Sequence, residues 1–313
     1  METRNLGRSG LRVSLVGLGC NNFGASLDAA GTAAVVHAAL DAGITFFDTA
    51  DRYGGFGGSE THLGPALGAR RKDIVLATKF GGDMDPEGRK RGAARRYIVQ
   101  AVEDSLRRLQ TDWIDLYQLH KPDPFTPIEE TLRALDDLIR AGKVRYIGSS
   151  NLAAWRSVEA EFVARELGVN RFVSCQEEWN VLNRAIEKDV TPMMAAFGLG
   201  MLPFFPLASG LLTGKYKRDA MPTGARLTDD PRFMKSPYLN NANFAKVEKL
   251  AAYAKGQGRS LLELAFGWLA AQAVTASIIA GATKPEQIRS NVAATGWKMT
   301  QADLDAIAAI ADA

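Results

Sequence analysis

Short runs of β-branched and aromatic residues alternate along this chain with segments of helical period, and the runs tend to end on a polar residue. The strand candidates are residues 13–19, 44–48, 74–79, 114–120, 144–148, 172–176, 201–205 and 275–279. The helix candidates between and after them are 32–42, 59–67, 95–109, 126–141, 152–167 and 185–197, then a helix opening near Lys284-Pro285 and a last one over 301–311. Repeated β-then-α units of this size imply a parallel sheet, and eight strands favour closure into a (β/α)8 barrel. The rival is an open doubly wound sheet. It would want Gly-x-Gly-x-x-Gly on the first βα turn, where this chain reads Gly17-Leu18-Gly19-Cys20-Asn21-Asn22 and lacks the third glycine. Residues 1–12 read as a turn between two short strands. With 313 residues, 46% of them hydrophobic, the chain is long enough for one large core, and residues 1–313 are expected to form a single domain.

The net charge of +3, with 23% charged residues, is too balanced to suggest a nucleic-acid partner. The one local excess, Arg89-Lys90-Arg91 to Arg95-Arg96, reads as a solvated loop and helix start. No apolar stretch reaches membrane-spanning length and no basic-then-apolar leader opens the chain. The two cysteines, Cys20 and Cys175, sit in apolar strand-like runs and read as buried thiols of a reducing compartment. A soluble cytoplasmic protein is expected.

Three strand ends carry the chemistry. Strand two stops at Asp48, with Tyr53 just beyond it; strand three stops at Lys79 and strand four at His120. In a parallel barrel these residues share one rim. A lysine closing an apolar strand must bring its ammonium to the rim or meet a burial cost. A nearby ammonium lowers a tyrosine's pKa, a carboxylate holds the lysine, and a histidine donates to a carbonyl oxygen. Such a group protonates a carbonyl as hydride arrives.

The motifs Asp48-Thr49-Ala50-x-x-Tyr53-Gly54, Gly58-Ser59-Glu60-x-x-Leu63-Gly64, Thr78-Lys79, Asp115-Leu116-Tyr117-x-x-His120, Ser149-Ser150-Asn151 and Gln176 run in order along nearly the whole chain. Together they resemble the aldo-keto reductase superfamily, in its potassium-channel β-subunit-like branch. The resemblance implies a (β/α)8 barrel whose floor is plugged by the N-terminal hairpin, a C-terminal helix, NADPH/NADP+ as cofactor and a small-molecule carbonyl substrate. It implies that Tyr53 is the general acid, with Asp48, Lys79 and His120 completing a tetrad. It places Ser149, Ser150, Asn151 and Gln176 on the nicotinamide carboxamide, and Phe204 beneath the ring. Pro206 and Leu207 follow, and Phe205 replaces a small polar residue. Lys215 and Arg226 match positions that hold the pyrophosphate.

Gly281-Ala282-Thr283-Lys284-Pro285-x-Gln287-x-x-x-Asn291 opens the last barrel helix. A helix N-terminus attracts phosphate through its free N–H groups and dipole, and Lys284 adds a charge, which favours NADP(H). Gly281 and Gln287 replace a lysine-serine pair and an arginine of other branches. The irregular stretch 210–243 is expected to fold over the cofactor.

The chain stops at Ala313 shortly after its last helix, so the long C-terminal loop that walls the pocket in some relatives is not expected. An open pocket lined by Phe23, Phe56, Trp179 and Phe80, with broad specificity, is expected instead; the alternative is that Gly82-Asp83-Met84-Asp85 selects a polar substrate such as a sugar-derived carbonyl. Two other readings stand beside the reductase: an NADPH-binding regulatory or redox-sensing subunit, and a metal-dependent sugar isomerase. The missing metal-ligand cluster counts against the isomerase.

Overall fold

The structure, a computed structural model, describes residues 1–231 and 233–312. An antiparallel hairpin comes first, β1 (Thr3–Asn5) and β2 (Arg12–Ser14). Parallel strands follow: β3 (Val16–Gly19), β4 (Phe46–Asp48), β5 (Val75–Phe80), β6 (Ile114–Leu119), β7 (Val144–Ser150), β8 (Phe172–Gln176), β9 (Gly200–Met201) and β10 (Ile278–Gly281). They form one sheet in the order β10-β3-β4-β5-β6-β7-β8-β9. Its two ends meet: Met201 N–H donates to the Val274 carbonyl at 2.8 Å, Ala276 N–H to Met201 at 2.9 Å, and Ile279 N–H to Pro203 at 3.0 Å. The fold is the expected (β/α)8 barrel.

Helices fill the connections. α1 (Ala29–Asp41) follows β3, a short turn α2 (Tyr53–Phe56) and α3 (Gly58–Leu67) follow β4, and α4 (Arg95–Leu109) follows β5. Then come α5 (Ile128–Arg140), α6 (Ala154–Leu167) and α7 (Val190–Phe197). Between β9 and β10 lie α8 (Arg226–Asp229), α9 (Asn241–Gly256) and α10 (Leu261–Ala271); α11 (Pro285–Ala293) and α12 (Gln301–Asp312) close the described chain. None is long and apolar enough, among the described residues, to cross a membrane. The helical period explains the packing. α4 buries Ile98, Val102, Leu106 and Leu109, and α5 buries Leu132, Leu135 and Leu138, each set on one stripe facing the sheet.

The element boundaries differ from the sequence expectation where barrel and hairpin meet. Residues 13–19 do not form one strand: Arg12–Ser14 pair with the hairpin, and Leu15 N–H bonds Glu2 before β3 enters the barrel. The last two barrel strands are short, and Phe204 makes only an isolated bridge with Glu178. Residues 185–197 split into a tight turn over Ala185–Lys188 and α7, with Pro192 in the first turn of α7, where its missing N–H costs no bond.

Inside the barrel Leu6 and Val13 of the hairpin pack with Phe46, Ala77, Leu116, Leu202, Ala276 and Ile279 in one buried cluster. The hairpin turn lies tight against the strand ends. A Cβ on Gly7 (φ +58°) would fall 2.5 Å from the Gly198 carbonyl oxygen and 2.7 Å from Gly200 N, so only glycine fits there.

A polar knot sits between the barrel and α4. Buried Glu60 accepts from Thr78 Oγ1 at 2.5 Å and from Arg108 Nε at 2.7 Å. Beside it Asp51 accepts from the Tyr97 hydroxyl at 3.1 Å, while its Oδ1 has no partner. Burial, with Glu60 adding to it, raises the Asp51 carboxyl to about 7. The folded state therefore keeps a proton that the unfolded chain releases near pH 4. That contribution is complete below about pH 4 and is lost as pH rises through about 7. Asp51→Asn, which carries no charge to bury, is expected to be more stable than the parent at about pH 8, by roughly 2–4 kcal/mol, with the gap closing towards about pH 4. Thermal melts at the two pH values check this; a variant less stable at both would contradict it.

Candidate active site

The C-terminal rim gathers the polar strand ends because parallel strands deliver their last residues to one side. In the β5–β6 register Lys79 stands opposite Gln118, so both side chains enter the barrel beside Asp48, which ends β4. Lys79 is fully buried and its ammonium uses three acceptors: Asp48 Oδ2 at 2.6 Å, the Thr49 carbonyl at 2.9 Å and the Tyr53 hydroxyl at 3.4 Å. The other oxygen of Asp48 accepts from Gln118 Nε2 at 3.0 Å and Gln176 Nε2 at 2.9 Å. Burial opposes the Lys79 charge, but Asp48 and then Tyr53 outweigh it and the pKa rises.

The Tyr53 hydroxyl behaves differently from the expectation. Burial raises its pKa, the Lys79 ammonium offsets this only in part, and Asp48 adds to burial, so the phenol is held above its ordinary value rather than below it. His120 packs edge-on to Tyr53, with ring centroids 5.6 Å apart. Burial, then the charges of Lys79, Lys121 and Arg52, pull its pKa down to about 2. The imidazole is neutral, offering one N–H and no charge. Its backbone is fixed from both sides: His120 N–H donates to Phe80, and the His120 carbonyl accepts from Asn151 Nδ2 at 3.0 Å.

From Tyr53 and His120 a cleft of about 1220 Å³ runs across the rim to the N-terminus of α11. Asp48, Ser150, Asn151, Gln176, Phe204, Pro206, Leu207, Lys215, Arg226, Gly281, Thr283, Lys284, Gln287 and Asn291 all line it. Described residues of the 210–243 stretch wall one side. Tyr238 donates to Glu178 at 2.5 Å and accepts from Asn180, and Arg226 donates to Asn22 at 2.9 Å.

Other expected contacts lie elsewhere. Ser149 is fully buried and faces Cys175 Sγ at 3.5 Å, away from the cleft, because alternate residues of β7 point to opposite faces. Phe23, Phe80 and Trp179 are buried and do not line this cleft. Phe80 packs on Tyr117, and Trp179 lies edge-on to Trp268 and donates to Glu187. Phe56 is half exposed outside the cleft lining. Gln287 turns back on its own helix: its side-chain oxygen accepts from Thr283 N at 2.7 Å and Lys284 N at 3.2 Å. Gln118 escaped the sequence reading. Its one signal was a polar residue inside an apolar strand, two positions before His120.

A cleft above the ~300–1,000 Å³ usual for small ligands suits an extended molecule. Its chemistry is graded: a proton-donor group at one end, an aromatic shelf at Phe204, cations at Lys215 and Arg226, and a helix N-terminus with Lys284 at the far end. That sequence of groups fits a nicotinamide dinucleotide.

A family model described as Aldo/keto reductase family matches residues 15–312. A probable voltage-gated potassium channel subunit beta of Oryza sativa subsp. japonica is 39% identical over 307 residues, covering 94% of this chain and 91% of the relative. Aldo-keto reductase YhdN of Bacillus subtilis is 37% identical over 313 residues, covering 97% and 91%. L-glyceraldehyde 3-phosphate reductase of Escherichia coli K12 is 33% identical over 304 residues, covering 94% and 87%.

The buried, cation-flanked imidazole has a direct test. In NMR titrations His120 is expected to keep the chemical shifts of a neutral ring from about pH 8 down to about pH 5. A midpoint near the ordinary value of about 6.5 would contradict the electrostatics described.

Proposed function

The chain belongs to the aldo/keto reductase family, and on that footing we propose that it is a cytoplasmic NADP(H)-dependent reductase of aldehydes or ketones. The observation that carries this reading is the buried Asp48–Lys79 pair donating onward to Tyr53 at the floor of a dinucleotide-sized cleft. The family uses NAD(P)H, which when bound supplies a hydride to the carbonyl carbon.

The chain's own residues do the rest. Tyr53, held protonated by burial, gives its hydroxyl proton to the carbonyl oxygen. Lys79 stabilises the phenolate that remains, and Asp48 keeps Lys79 charged and in place. Neutral His120 orients the oxygen through its N–H without competing as an acid. Ser150, Asn151 and Gln176 border the nicotinamide end, Phe204 to Leu207 its face, and Lys215 and Arg226 the phosphates. Gln176 gives one amide N–H to Asp48, leaving its oxygen and second N–H for the cofactor. At the far end Gln287 must release the Thr283 and Lys284 N–H groups for a 2′-phosphate to bind there. The buried free thiols, Cys20 and Cys175, suit a reducing compartment.

A second reading, an NADPH-binding regulatory or redox-sensing subunit, draws on the description of the rice relative. A retained tetrad is compatible with it, and turnover measurements separate the two.

Tyr53→Phe is expected to lower the reduction of para-nitrobenzaldehyde by about a hundredfold or more while NADPH still binds, as read by nucleotide fluorescence. Equal turnover in variant and parent would refute Tyr53 as the proton donor. Failure of the parent to turn over any carbonyl would favour the regulatory reading.

Lys284→Ala is expected to weaken NADPH about tenfold and leave NADH nearly unchanged, since a charge-assisted phosphate contact runs to roughly 1.5–3 kcal/mol. Parallel titrations decide it: equal weakening of both nucleotides would place the 2′-phosphate elsewhere.

A further inference from the structure

We propose that the carbonyl substrate carries an anionic group, a carboxylate or a phosphate, which Arg52 and Lys121 hold at the rim beside Tyr53 and His120. The proposal rests on the reductase reading and names the class of substrate that such a site takes.

Arg52 immediately precedes Tyr53, and Lys121 immediately follows His120. They therefore sit just beyond the ends of β4 and β6, on the rim that carries Tyr53 and His120, and neither lines the cleft itself. Both are exposed, and among the described residues neither side chain has a hydrogen bond or a carboxylate partner. Most arginines here do have one: Arg4, Arg70, Arg91, Arg95, Arg107 and Arg108 all pair with acids.

The acids nearest in sequence are already engaged. Asp51 turns inward to Tyr97. Asp123 accepts from Ala93 N, Phe125 N and Thr126 Oγ1. Asp83 pairs with Arg91, and Asp85 accepts from the N–H groups of Arg89 and Lys90. The field of both cations reaches the imidazole of His120, beside the Tyr53 ring.

Arg52 is also seated rather than free. A Cβ on Gly82 would lie 2.8 Å from its Cδ, so the glycine after β5 makes room for the arginine stem against that loop. Two exposed cations on the rim, each next in the chain to Tyr53 or His120, raise the local concentration of anions there. The apolar alternative lacks its walls, because Phe23, Phe80 and Trp179 are buried.

The test uses matched aldehydes with NADPH and the intact protein: succinic semialdehyde against its methyl ester, and glycolaldehyde phosphate against glycolaldehyde. The charged member of at least one pair is expected to have a kcat/KM about tenfold or more above its neutral partner, gained mainly in KM and shrinking at high salt. The pair with the larger ratio identifies carboxylate or phosphate. Arg52→Gln and Lys121→Gln should each reduce that ratio several-fold, and Arg52→Glu should reduce it further.

A ratio near one in both pairs, with para-nitrobenzaldehyde still reduced, overturns this proposal and leaves the reductase reading standing. A high ratio that none of the three substitutions moves also overturns it, since the anion would then be held elsewhere. Failure to reduce any aldehyde takes down both.

Discussion

One buried ion pair organises the rim. Lys79 and Asp48 sit where water does not reach, and stripping water from two charges costs several kcal/mol per ion unless each is fully bonded. Here each is: all three ammonium protons have acceptors, and both carboxylate oxygens have donors. That saturation ties together four strand ends, through Asp48 of β4, Lys79 of β5, Gln118 of β6 and Gln176 of β8. Tyr53 takes the last, longest contact of the ammonium, so its hydroxyl stands where the network places it.

The ranking of effects at Tyr53 also matters. A lysine beside a tyrosine suggests an easily ionised phenol. Burial acts on the same hydroxyl and wins, with Asp48 on its side. The result is a group that keeps its proton until something takes it, which suits a donor. His120 is governed by the same pair of effects in the opposite sense, since burial and neighbouring cations both disfavour its charged form. Burial thus keeps both rings uncharged, against the pull of Lys79 at Tyr53 and with the help of the cations at His120.

The barrel was legible in the sequence because strand period, helix period and polar strand ends agreed on it. The tetrad was legible because parallel strands send their last residues to one rim. Contacts across the barrel were not. Gln118 looks like any polar residue of a strand until the β5–β6 register sets it opposite Lys79. Phe23 and Trp179 occupy loop positions in the sequence, yet both fold inward, and whether a rim aromatic faces the cleft or the core depends on neighbours far along the chain. Ser149 misled through parity alone, since one step along β7 reverses the face. Helices α9 and α10 had readable caps, Asn240 at one and the Ser260–Glu263 box at the other, but they follow an irregular stretch that hid their register.

The hairpin beneath the barrel has a consequence for timing. With Leu6 and Val13 filling the interior from below, Lys79 is fully buried and meets the cleft only through its partners Tyr53 and Asp48 among the described residues. On the proposed reading, a spent phenol must be refilled through the same doorway by which the alcohol leaves. Recovery of the proton therefore queues behind departure of the product, and a catalyst with a sealed base resets only after it has emptied.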